Sequence, residues 1–104
     1  MDERFQECEL VIETRTYTLT EVCAICGIHA TGLRELVAFG IIAPAAEHPD
    51  GGLFSEAALH RAKRALRLQR DLELAGQGLA LALDLLDEVE RLRRLVLQQG
   101  RDRI

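Results

Sequence analysis

The chain is poor in the residues that build compact β architecture. Of 104 residues only 4% are aromatic, with no Trp, one Tyr and three Phe. A core drawn from so few rings must be aliphatic, made of Leu, Ala, Val and Ile, which favours packed helices over a sandwich or barrel. Proline is limited to two residues, so long stretches are free to be helical. Three cysteines are an odd and small number, which excludes a disulfide scaffold and fits a reducing compartment. No apolar run approaches the ~20 residues of a membrane-spanning helix. The opening residues Met1-Asp2-Glu3-Arg4-Phe5 are acidic and carry no apolar signal region, so a cytoplasmic location is expected.

Cations are also scarce where they would matter for nucleic acid. Formal charge is −4, against the excess of Lys and Arg that non-specific phosphate binding demands. Residues 1–55 hold three basic residues (Arg4, Arg15, Arg34) and nine acidic ones, net −6; residues 56–104 are net +2. What is plentiful is apolar material, 48% of the chain, enough for one domain's core.

Residues 9–17 are rich in β-branched residues and read as a short strand. Thr18-Leu19-Thr20-Glu21 has the spacing of a capping box and opens a helix to about Ile25, with Val22, Ile25 and either Cys23 or Cys26 facing inward. Gly27 suits its C-terminus. A second helix over 30–39 is expected after His29, with Leu33, Leu36, Val37 and Phe39 at helical spacing, stopped by Gly40. His48-Pro49-Asp50-Gly51-Gly52 is a turn, and Leu53-Phe54 a second strand. Ser55 caps a long helix to about Ala75, whose apolar side carries Leu59, Ala62, Ala65, Leu66 and Leu72. Gly76-Gln77-Gly78 interrupts it, and a last helix runs from Leu79 to about Gln99.

Residues 18–76 resemble the winged helix-turn-helix of the MerR family. The resemblance is carried by Thr18 to Val22, Cys26-Gly27-Ile28, Leu33-Arg34, the run from Phe39 to Pro44, and Phe54 to Leu59. The whole chain is more similar to an offshoot, the chaperone-modulator (CbpM) family. Here the matching stretches are Thr18 to Cys23, Arg67-Leu68-Gln69-Arg70-Asp71-Leu72-Glu73-Leu74, and Ala82-Leu83-Asp84-Leu85-Leu86-Asp87-Glu88-Val89. The expected fold is therefore mainly α: a MerR-like winged helix-turn-helix over 1–76, with a small strand pair, and a C-terminal helix over 77–104 as a dimerisation or packing extension. The resemblance implies binding to the J-domain of a DnaJ-like (CbpA-type) co-chaperone and inhibition of its work with the Hsp70 chaperone DnaK.

Cys23, Cys26 and His29 invite a zinc reading, but structural zinc needs four ligands and no second CxxC exists. Core packing explains Cys23 better, and no metal or other cofactor is expected. Nor is there a catalytic constellation or a phosphate-binding glycine loop, so an enzyme is not expected. The DNA-binding alternative would use Arg34, Lys63, Arg64 and Arg67, yet residues 45–52, the wing, contain Glu47 and Asp50 and no Lys or Arg. Nucleic acid is thus not the expected partner. Lys63, Arg64, Arg67 and Arg70 fall on an arc of roughly 120°, as on the solvated face of an amphipathic helix.

In the last helix, Ala82, Leu85, Val89, Leu92 and Val96 form a seam of about two heptads, which predicts homodimerisation through Leu85, Val89, Leu92 and Val96. Asp87 is spaced to pair with Arg91 and Glu90 with Arg94, while Asp84 and Glu88 are like charges four apart. Such a cluster suits the basic second helix of a J-domain. Asp84, Asp87 and Glu88 are accordingly the candidate protein-binding residues, with Glu35 as a second site.

Overall fold

The computed structural model describes residues 15–102. In chain order the elements are β1 (Thr16–Thr18), α1 (Leu19–Cys26), α2 (Ala30–Ala38), β2 (Leu53–Ser55), α3 (Glu56–Leu72) and α4 (Gly76–Asp102). The two strands pair antiparallel, with Thr16 opposite Ser55, Tyr17 opposite Phe54 and Thr18 opposite Leu53. This is the expected mainly helical, winged helix-turn-helix arrangement. Of the strand expected over 9–17, the part at 9–14 lies outside the described residues, and the visible strand continues to Thr18.

Capping chemistry sets the helix starts. The Glu21 N–H donates to Thr18 Oγ1 at 3.1 Å, and the Thr18 N–H donates to Glu21 Oε1 at 3.0 Å, completing the capping box. The Ser55 hydroxyl accepts from the Ala58 N–H at 3.1 Å. Gly27 closes α1 in the left-handed region at φ 69°, as its lack of Cβ allows.

The break between the long helices differs from expectation. It falls at residues 73–75, before the glycines, with Glu73 in the left-handed conformation at φ 54°. Gly76 and Gly78 then begin α4 rather than interrupting the chain. The earlier reversal is what lets α4 lay Leu79 and Leu83 on the domain: both are fully buried and join Val22, Leu33, Phe54, Leu59, Ala62 and Ala65 in one core. Burial of this kind stabilises by about 1.5–3 kcal/mol per large aliphatic side chain.

Three apolar placements are corrected. Ile25 is 48% exposed, because the inward stripe of α1 is Leu19, Val22, Cys23 and Cys26, spaced at three and four residues, and Ile25 lies to one side of it. Leu72, at the very end of α3, is 61% exposed. Phe39 is 44% exposed and packs its ring edge toward Gly76 instead of into the core.

The wing is the segment between α2 and β2. The Ala45 N–H donates to the Leu53 carbonyl at 2.7 Å, and the Leu53 N–H to Ala46 at 2.9 Å, which folds the loop back beside β2. Gly52 makes this possible: a Cβ there would sit 2.7 Å from Pro44 Cβ.

Candidate partner interface

The charged side chains of α3 and α4 meet in a ladder. Arg61 is its centre: only a quarter exposed, it donates through Nε to the Ile41 carbonyl at 2.6 Å and through its two terminal nitrogens to Asp87 Oδ2 at 2.6 Å and Asp84 Oδ1 at 3.3 Å. Arg64 follows one turn on, 3.6 Å from Asp87 Oδ1 and 3.2 Å from Glu90 Oε1. Arg94 lies 3.9 Å from the other oxygen of Glu90. One residue, Arg61, thus joins the loop after α2, helix α3 and helix α4.

The candidate acids are therefore not equivalent. Asp87 commits both carboxylate oxygens to α3 cations rather than to Arg91. Glu88 instead takes Arg91 in a two-point pair that holds its carboxyl below the usual range. Asp84 is 72% exposed and, among the described residues, keeps Oδ2 outside any ion pair. Glu35 stands apart from the ladder, exposed on α2.

The cations assigned to the DNA alternative are split by the same geometry. Arg64 turns to α4, whereas Lys63 and Arg67 lie roughly 120–160° round α3 from Arg61 and are exposed. Arg34 is the single cation of α2, also exposed, and the wing presents Glu47 and Asp50. His48 Nδ1 accepts the Asp50 N–H at 3.2 Å, so its polarity is turned into the loop itself. A major-groove reader needs cations on its second helix and wing for phosphate contacts, and here those surfaces offer one.

A family described as MerR HTH family regulatory protein matches residues 17–98. The chain is 39% identical over 93 residues to the chaperone modulatory protein CbpM of Citrobacter koseri, covering 86% of this chain and 92% of that protein. It is 40% identical over 89 residues to the proteins of the same name from Salmonella paratyphi A and Salmonella newport, covering 83% of this chain and 88% of each. The chain belongs to the chaperone-modulator CbpM family. These relatives are named as regulatory or modulatory proteins, not as enzymes.

In this CbpM-family chain the seam residues Leu85, Val89, Leu92 and Val96 are all exposed, and Ala82 is half-buried. They face roughly 130° away from Leu79 and Leu83 around α4, so helix α4 uses one side for its own core and leaves a second apolar side open. Val89, Leu92, Val96 and Leu97 line a shallow apolar groove beside Arg93 on that side.

Cys23 and Cys26 are half-buried against the core, and burial raises the Cys26 thiol above its ordinary value. No group of three or more His, Cys, Asp or Glu side chains is gathered for a metal among the described residues. No helix among them is long and apolar enough to cross a membrane.

Arg61 is the site residue that sequence reasoning missed. Its signal was available: Arg61 and Arg64, three apart on one helix, match Asp84, Asp87 and Glu90, each three apart on the next. A short connection makes consecutive helices neighbours, and the pairs advance together along both, Arg61 with Asp84 and Asp87 and Arg64 with Asp87 and Glu90, as helices do where they cross.

Proposed function

We propose that this chain binds the J-domain of a DnaJ-like, CbpA-type co-chaperone and inhibits its work with DnaK, acting in the cytoplasm. The observation that carries this reading is a helix-turn-helix whose second helix and wing present a single cation, Arg34, in a chain whose relatives are named chaperone modulatory proteins. The mechanism is occlusion. An acidic surface covers the basic second helix of the J-domain, and DnaK is excluded. Charge complementarity of this type raises the association rate and makes binding salt-sensitive.

Asp84, Asp87, Glu88 and Glu35 are the proposed contacts. The ladder orders them: Asp84 has an uncommitted oxygen, whereas an incoming cation must share Asp87 with Arg61 and Arg64. Leu85, Val89, Leu92 and Val96 are proposed to pair two copies of the chain through the outward side of α4, whose apolar residues would otherwise stay in water.

Affinity capture of a purified J-domain co-chaperone, run beside a gel shift at ~50 and ~200 mM salt, tests the reading against the MerR-type DNA-binding alternative. Recovery of the J-domain protein with no shifted DNA supports it. A sequence-specific, salt-sensitive shift with no J-domain protein recovered refutes it.

A further inference from the structure

The last turn of α2 carries an acid where a helix favours a base. Glu35 lies in the C-terminal half of Ala30–Ala38, and that turn contains no basic residue. The negative end of the helix dipole disfavours a carboxylate there. No ion pair among the described residues offsets it, although Arg61, Arg64 and Arg91 all find carboxylates elsewhere.

Phe39 lies beside it. The Phe39 N–H donates to the Glu35 carbonyl at 3.0 Å, so the helical turn persists through Phe39 and keeps the two side chains one turn apart on one side of α2. The ring is held from behind by the backbone of Gly76: a Cβ on Gly76 would come within 3.2 Å of Phe39 Cζ. Its other surface stays open to solvent. Glu35 and Phe39 line a small depression together with Gln69 and the buried Leu36, Ile41 and Leu79, about 30 Å³ in volume. That is far below the several hundred Å³ of a metabolite site, and gives room for about two waters or the end of one side chain.

We propose that Glu35, Phe39 and the C-terminal end of α2 form a receptor for a single lysine or arginine side chain projecting from the basic helix of the J-domain partner. Each part favours a cation: the carboxylate by charge, the helix end by its dipole, the aromatic face by its quadrupole. The carboxylate has no ion-pair partner among the described residues, and the ring is partly open to solvent; the carbonyls of Glu35, Leu36 and Val37 already accept the N–H groups of Phe39, Ile41 and Gly40, so the helix end adds only its residual dipole. The proposal rests on the J-domain reading and makes it specific, placing one anchor on α2, outside the α3–α4 ladder.

The test is titration of a purified J-domain with the full chain and its Glu35→Gln, Phe39→Leu and Glu47→Gln variants. Glu47→Gln removes the same charge from the wing and controls for long-range attraction. Glu35→Gln is expected to weaken binding about five-fold or more and Phe39→Leu about three-fold, as loss of a charge contact and of a ring face requires. Glu47→Gln should stay within about two-fold, the range of a rim charge. The melting temperature of free Glu35→Gln should hold or rise, since the substitution relieves the dipole conflict, and a merely structural role would lower it. Equal affinities for Glu35→Gln and Glu47→Gln, with the parent chain binding normally, overturn the receptor alone. A parent chain that does not bind the J-domain overturns both the receptor and the functional reading. A change in self-association of Glu35→Gln by sedimentation, with unchanged J-domain affinity, would assign the receptor to a second copy and overturn the proposal.

Discussion

Replacing Arg61 by Met tests whether the α3–α4 ladder holds the last helix in place. Methionine keeps most of the apolar stem and removes the guanidinium. Three interactions vanish: the bond to the Ile41 carbonyl at 2.6 Å, the pair with Asp87 at 2.6 Å and the pair with Asp84 at 3.3 Å. The first is a charge-assisted bond on a side chain only 26% exposed and is worth about 1 kcal/mol after allowance for solvent. The pairs are more exposed and add about 0.5 and about 0.3 kcal/mol. The loss is close to 2 kcal/mol, which for a domain of this size lowers the melting temperature by roughly 10 °C. Circular dichroism melts at low and high salt separate the contributions. Salt removes the part due to the exposed pairs and leaves the carbonyl bond. Lys63→Met, on the solvated side of α3, is the control and should shift stability by less than about 0.5 kcal/mol. If Arg61→Met melts with Lys63→Met, the ladder is decorative and the reasoning fails.

Leu83→Ala opens a cavity in the core and is expected to cost about 3–5 kcal/mol, whereas Leu85→Ala, one turn-face away, should leave the monomer's denaturant stability nearly unchanged and instead reduce self-association by sedimentation. Gly76→Ala combines φ +56° with a Cβ 3.2 Å from Phe39, and Gly27→Ala has φ +69° in open space; the first should therefore destabilise more than the ~1–2 kcal/mol of left-handed strain that both share, as chemical denaturation would show. Stability should fall at both ends of the pH range. The Tyr17 hydroxyl donates to Glu56 at 2.6 Å, lowering the Glu56 carboxyl and raising the Tyr17 phenol. The Glu56 contribution is full above its unfolded pKa and lost as pH falls through the folded value; the Tyr17 contribution is full below its unfolded pKa and lost as pH rises through the folded value. Tyr17→Phe should flatten both arms, and an unaltered pH–melting profile would contradict the assignment.

Local chemistry in the sequence was readily legible. The capping box at Thr18 and Glu21, the Gly27 stop and the Ser55 cap each depend on residues within a few positions, and each forms. The long-range decisions were less so. Nothing near Glu73 signals that it adopts a left-handed conformation, because the pressure comes from Leu79 and Leu83 needing to reach a core built by residues 17 to 65. The exposure of Ile25 and Phe39 likewise depends on where α3 and α4 settle. Among the candidate interface residues, charge type was visible but commitment was not: Asp84, Asp87 and Glu88 look alike in sequence, and only packing against Arg61 and Arg64 separates the exposed Asp84 from the doubly paired Asp87.

The central claim is that a helix-turn-helix of this charge serves a co-chaperone and not DNA. Steady-state ATP hydrolysis by DnaK, stimulated by a purified CbpA-type co-chaperone and titrated with this chain, tests it most directly. The account predicts that stimulation falls to the unstimulated rate in a saturable way, with more chain required at ~200 than at ~50 mM salt. Stimulation that persists undiminished at saturating chain would contradict it.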